Sequence, residues 1–195
     1  MNSVTQTLRA WALQDVVSDP RARRGVAVVA FVLATAFGAQ VGVRFPWTQV
    51  PMTLQPLFVI LAGAVLGPRL GAMAIATYVM IGAAGAPVFS NGAAGLPWLL
   101  GPTGGYLLAM PAAAFVTGAI AGGSASGAAR LLLGLTLGTL TIYAGGVSWL
   151  LMASGGSLTT ALSLGVVPFI AGDVIKVFIA FFAAKSLHAT SFGRL

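Results

Sequence analysis

Val166-Val-Pro-Phe-Ile-Ala-Gly-Asp173-Val-Ile-Lys176-Val-Phe-Ile-Ala-Phe-Phe182 is an apolar run broken by one acid and one base. It is nearly long enough to cross a bilayer, which takes about 20 residues of helix. Asp173 is the one carboxylate between Pro20 and Leu195; Asp15 and Asp19 sit in the polar N-terminal segment. Lys176 follows three positions later, on the same helical face. An ionisable group in hydrocarbon is expensive and marks a site by default, with the other charge as its partner. The alternative is an internal ion pair that only neutralises itself, although such pairs seldom add stability over apolar packing.

The surrounding chain has the same character. Of 195 residues, 58% are hydrophobic and 7% charged, a composition that excludes an ordinary soluble domain. Most of the 26 glycines fall inside apolar spans, which predicts helices in close contact through small residues. The net charge of +7 is not a nucleic-acid footprint, because the basic residues punctuate span ends instead of clustering on one wet face. With no cysteine there is no disulfide framework, thiolate nucleophile or cysteine metal site. Arg21, Arg23 and Arg24 precede a run long enough to span, so no cleaved signal peptide is expected and the mature chain is taken as the whole chain.

The expected fold is an all-α integral membrane protein, a six-transmembrane-helix bundle with both termini cytoplasmic. Spans are expected near 25–43, 50–66, 70–86, 104–122, 129–152 and 167–188, forming one domain over 25–195. Residues 1–24 are a cytoplasmic segment in which Val4, Leu8 and Trp11 share a helical spacing suited to an interfacial helix. The second and third spans are a hairpin because one continuous helix would put Gly67-Pro68-Arg69 near the bilayer centre. Six spans place Arg21, Arg23, Arg24, Arg69, Arg130, Lys185 and Arg194 on one side, which the positive-inside bias makes cytoplasmic.

Three loops then face outward, near 44–51, 85–101 and 154–166. The second, Gly85-Ala-Pro-Val-Phe-Ser-Asn-Gly-Ala-Ala-Gly-Leu-Pro-Trp98, is too rich in Gly and Pro for a helix and too apolar for a solvated loop, as a lid would be. Asp173 and Lys176 lie in the outer half of the last span, near Asn91, Thr53, Gln55 and Tyr106. Singly, Asn91 reads as a turn residue and Thr53 and Gln55 as a helix start. Together they suit a small ligand with N–H donors and its own carboxylate.

Catalysis has little support. Asp173 has no second acid, His188 falls at the far end of the last span, and no Gly-x-Ser-x-Gly elbow or Walker loop is present. No catalytic or metal residue and no cofactor is expected.

The strings Val50-Pro-Met-Thr-Leu-Gln55, Leu61-Ala-Gly-Ala-Val-Leu-Gly-Pro-Arg-Leu-Gly71, Gly85-Ala-Pro-Val-Phe89, Gly101-Pro-Thr-Gly-Gly-Tyr106 and Pro168-Phe-Ile-Ala-Gly-Asp-Val-Ile-Lys176 closely resemble BioY, the family of biotin-specific S components of energy-coupling-factor (ECF) transporters. The resemblance covers residues 25 to 188. It implies capture of biotin near the external face of the cytoplasmic membrane, and docking onto a transmembrane coupling protein driven by a pair of ABC-type ATPases. It further implies that Asp173 accepts a ureido N–H and that Asn91 bonds the ureido group. Lys176 meets either the ureido carbonyl or the valerate carboxylate. Phe89, Trp98 and Tyr106 are expected against the thioether ring. Ala30 and Ala34, on one face of the first helix, either dock the coupling protein or serve ordinary packing. Two rivals remain open, a stand-alone carrier in which Asp173 takes up a proton and an integral membrane enzyme.

Overall fold

The computed structural model describes residues 19–122 and 127–189. The proposed interfacial helix at Val4, Leu8 and Trp11, and Arg194, lie outside the described residues.

Helix α1 spans Pro20–Gln40. It starts five residues before the expected position because Asp19 caps it, its carboxylate accepting from Arg21 N at 2.8 Å with proline in the first turn. Arg21, Arg23 and Arg24 are therefore helical, and the boundary expected at 24/25 falls within α1. Its far end also differs from expectation. Strand β1 (Gly42–Val43) pairs antiparallel with β2 (Met52–Thr53), Gly42 opposite Thr53, so that residues placed at the ends of two spans instead form a small hairpin. Leu54 N bonds both Gly38 O and Val41 O at 3.0 Å and ties the hairpin back to α1.

Helix α2 (Gln55–Ala83) is broken at Gly67, whose φ of 78° and ψ of 178° are open to glycine and not to a helix. Proline follows and contributes no N–H. A Cβ on Gly71 would lie 2.8 Å from Gly63 Cα, whereas eight residues of straight helix separate two positions by about 12 Å. The arms 55–66 and 68–83 thus double back on each other, as the expected hairpin requires. After a loop with a 3₁₀ turn (Ser90–Gly92) and a short helix α3 (Leu96–Leu99) come α4 (Gly104–Ala121) and α5 (Ala128–Ser154). Helix α6 (Leu158–Gly165) occupies what the sequence suggested as a loop; Ser157 Oγ caps it, accepting from Thr160 N at 3.2 Å. A 3₁₀ turn (Val167–Phe169) leads into α7 (Ile170–Ala189).

Five helical stretches are long and apolar enough to cross a membrane, and the break in α2 divides one of them in two. Ala27, Leu66 and Ala74 pack together, and His188 Nε2 lies 3.1 Å from Ala64 O. The start of α1, the bend at Gly67 and the end of α7 therefore share one end of the bundle. The β-hairpin, α3 and α6 close the other.

The centre is welded by glycine. A Cβ on Gly63 would meet Ala114 O at 2.2 Å, and one on Gly118 would meet Pro68 N at 2.5 Å and Gly67 C at 2.6 Å. Helices α2 and α4 touch backbone to backbone there, the packing that membrane helices use in place of a hydrophobic drive. Gly118→Val should lower the detergent-solubilised melting temperature, with a cost of about 1–3 kcal/mol from overpacking against atoms that cannot retreat. Gly25→Ala, whose Cβ meets nothing within 4 Å, is the control. Equal melting of the two variants would contradict this packing.

Candidate functional site

At the loop end, α4, α5 and α7 and the first two loops enclose a cavity lined by Thr53, Gln55, Ser90, Trp98, Thr103, Tyr106, Met110, Thr139, Tyr143, Phe169, Asp173 and Lys176, among others. Three observations define its chemistry.

The first is the charge pair. Asp173 stands in the first turn of α7, where the helix dipole favours an anion, and Lys176 one turn below. Lys176 Nζ donates to Asp173 Oδ1 at 2.6 Å, and each residue is only 6% exposed. The second carboxylate oxygen accepts from the Tyr143 hydroxyl, carried across from α5. Both oxygens are thus engaged, which is what makes a buried anion tolerable.

The second is a neutral chain along the opposite wall. Thr53 Oγ1 donates to Gln55 Oε1 at 2.9 Å, Gln55 Nε2 donates to Tyr78 Oη at 2.7 Å, and Tyr78 Oη donates to Val88 O at 3.0 Å. Thr53 also accepts from Gln55 N at 3.3 Å, consistent with a helix start. This chain joins the cavity wall to the backbone of the second loop through a fully buried tyrosine.

The third is the way the loops interlock. Gln40 Nε2 donates to Phe89 O at 3.0 Å and its Oε1 accepts from Gly92 N at 2.9 Å. Thr48 Oγ1 donates to Leu164 O at 2.8 Å, joining the first loop to α6. The cavity has a volume of about 60 Å³, room for roughly four to six waters at ~10–15 Å³ each.

The BioY family profile matches residues 7–192. This chain belongs to the BioY family. It is 42% identical to "Probable biotin transporter BioY" of Pyrococcus horikoshii over 164 residues, covering 84% of this chain and 95% of that protein. It is 43% identical to "Biotin transporter BioY" of Thermotoga maritima over 145 residues, 74% of this chain and 85% of that one. Among solved structures, the S-component for biotin from an ECF-type ABC transporter superposes with a TM-score of 0.84 at 23% identity, covering 91% of this chain and 96% of the other, a likeness of fold.

Within this BioY chain the structure gathers Asp173, Lys176, Thr53, Gln55, Tyr106 and Trp98 around one cavity. The Tyr106 hydroxyl is already committed, donating to Gly165 O at 2.8 Å, so its ring is what faces the cavity. Phe89 is fully buried, edge-on to Tyr78 at 5.8 Å, and supports the second loop from beneath. Asn91 is exposed and outside the cavity wall; Ser90 beside it lines the wall instead. Ala30 and Ala34 lie far from the cavity in a shallow groove with Phe58, Leu61 and Leu187.

Sequence reasoning missed Tyr143, Thr139, Thr103 and Ser90. A signal existed for the first two: Thr139 and Tyr143 are four apart in an apolar span, on one helical face. The pair geometry predicts that Lys176→Met alone strongly destabilises the ligand-free protein, by about 3 kcal/mol, because it strands a buried carboxylate. Adding Asp173→Asn should recover most of that loss in a thermal melt. A double variant as unstable as the single one would mean the two charges are not coupled.

Proposed function

We propose that this chain is the substrate-capture subunit of an ECF transporter, binding biotin from the external side for uptake across the cytoplasmic membrane. The observation that carries this reading is the Asp173–Lys176–Tyr143 cluster, buried in a mostly apolar cavity under interlocked loops, in a BioY-family chain. Biotin's ureido ring has two N–H donors and a carbonyl, its thioether ring is apolar and its tail ends in a carboxylate. Asp173 accepts a ureido N–H, Lys176 offers a donor beside it, and Thr53 and Gln55 contribute neutral polar groups. The rings of Tyr106 and Trp98 pack against the thioether.

In this reading the end of the bundle bearing Pro20, Gly67 and Ala189 faces the cytoplasm, in keeping with the cations Arg21, Arg23, Arg24, Arg69, Arg130 and Lys185. Ala30, exposed, and Ala34, half-buried, offer a small-residue face on α1 to the transmembrane coupling protein. The paired ABC-type ATPases reach the chain only through that protein.

Calorimetry with the purified chain should give tight biotin binding that weakens about ten- to a hundred-fold in Asp173→Asn and in Lys176→Ala, the loss of one charge-assisted hydrogen bond. Uptake in cells should require the ATPases and be lost in Ala34→Trp while binding survives. Undiminished affinity in both site variants would move the site elsewhere. Uptake by the chain alone, abolished when the proton gradient collapses, would favour the proton-coupled carrier.

A further inference from the structure

The mouth of the cavity holds a cation for which the described residues supply no anion. Across 41–54, 84–103 and 155–169, the segments that close this end, Arg44 is the one charged residue. Of the three acids, Asp19 caps α1 at the opposite end and Asp173 is engaged by Lys176 and Tyr143; Asp15 lies outside the described residues. The Arg44 guanidinium therefore rests on a neutral acceptor. With the Asn91 amide turned so that its oxygen faces the arginine, Asn91 Oδ1 lies 2.9 Å from Nη2 and 3.0 Å from Nε, and 2.8 Å from Ser90 Oγ. One carbonyl oxygen serves both N–H groups of the fork, where a carboxylate would supply an oxygen to each and a charge besides. Asn91 sits in the left-handed region at φ 59°, the one described non-glycine residue with positive φ, a turn conformation that asparagine tolerates.

Arg44 lines a groove directly outside the cavity, about 520 Å³ against 60 Å³ within. Pro51 and Trp98 line both spaces and form the partition between them. A ligand with its head on Asp173 and Lys176 and an aliphatic tail passing between Pro51 and Trp98 ends in this groove.

We propose that Arg44 is the receptor for the ligand's terminal carboxylate, taken in exchange for Asn91. The proposal rests on the biotin reading and deepens it. The valerate carboxylate binds Arg44 at the mouth, and Lys176 is left to the ureido carbonyl inside. The exchange also frees the Asn91 amide, which lies one residue from the cavity-lining Ser90 and then turns toward the ligand.

The test compares biotin with its primary amide, which keeps the rings and tail and lacks the charge, by calorimetry on the purified full chain. The unaltered protein should prefer biotin about ten-fold or more, the worth of one bidentate charged contact. In Arg44→Gln biotin should weaken to the level of the amide while the amide's own affinity holds, so the preference disappears. In Lys176→Gln both ligands should weaken alike and the preference should persist. A biotin preference that survives Arg44→Gln, or that is lost in Lys176→Gln instead, overturns the assignment to Arg44 alone. No binding of either ligand by the unaltered chain overturns the biotin reading and this proposal together.

Discussion

An ammonium and a carboxylate 2.6 Å apart, each 6% exposed, impose more on this chain than any other contact. Taking both ions out of water costs several kcal/mol each, and their attraction offsets this only when the remaining lone pairs and protons are also satisfied. The bundle meets that demand from three directions. Helix α7 places Asp173 in its first turn and Lys176 one turn on, α5 brings the Tyr143 hydroxyl to the second oxygen, and residues of the first two loops line the cavity beside them. Lys176 retains donor capacity that Asp173 does not use. A ligand with matched donors and acceptors therefore inserts into an electrostatic frame that already exists.

The glycine seams serve that frame. Backbone contact between α2 and α4 at Gly63, Ala114 and Gly118, and between α4 and α5 at Gly105 and Gly145, makes the membrane-spanning part stiff. The loops are built on another principle. Gln40 and Arg44 hold the loop segments by two hydrogen bonds each and Thr48 and Tyr78 by one, mostly to backbone oxygens or a neutral amide. Each such bond contributes about 1 kcal/mol net, so the ties that hold the cap are few and individually weak. A rigid floor under a weakly tied cover suits a protein that must first admit a solute and then keep it.

Much of this was legible in the residues, for reasons that differ by feature. Asp173 and Lys176 stood out because charge in hydrocarbon has few explanations, and the hairpin at Gly67-Pro68-Arg69 because three helix-breaking or polar residues coincide there. The β-hairpin was not legible, since two-residue strands carry no alternation to read. Helix α6 was hidden by its length and by its mixture of Thr, Ser and Leu. Tyr143 and Thr139 escaped because hydroxyls are cheap inside a helix; Thr139 satisfies its own by donating to Leu135 O at 3.0 Å. Asn91 was legible as a turn residue and a candidate ligand contact, yet its bond to Arg44 depends on two loops meeting, which no local pattern encodes.

A structure of the chain with biotin bound is the decisive measurement. The ureido ring should lie within hydrogen-bond distance of Asp173, with the Tyr143 and Lys176 side chains still converging on it. Biotin seated elsewhere, with the Asp173–Lys176 pair closed and untouched, would contradict that placement.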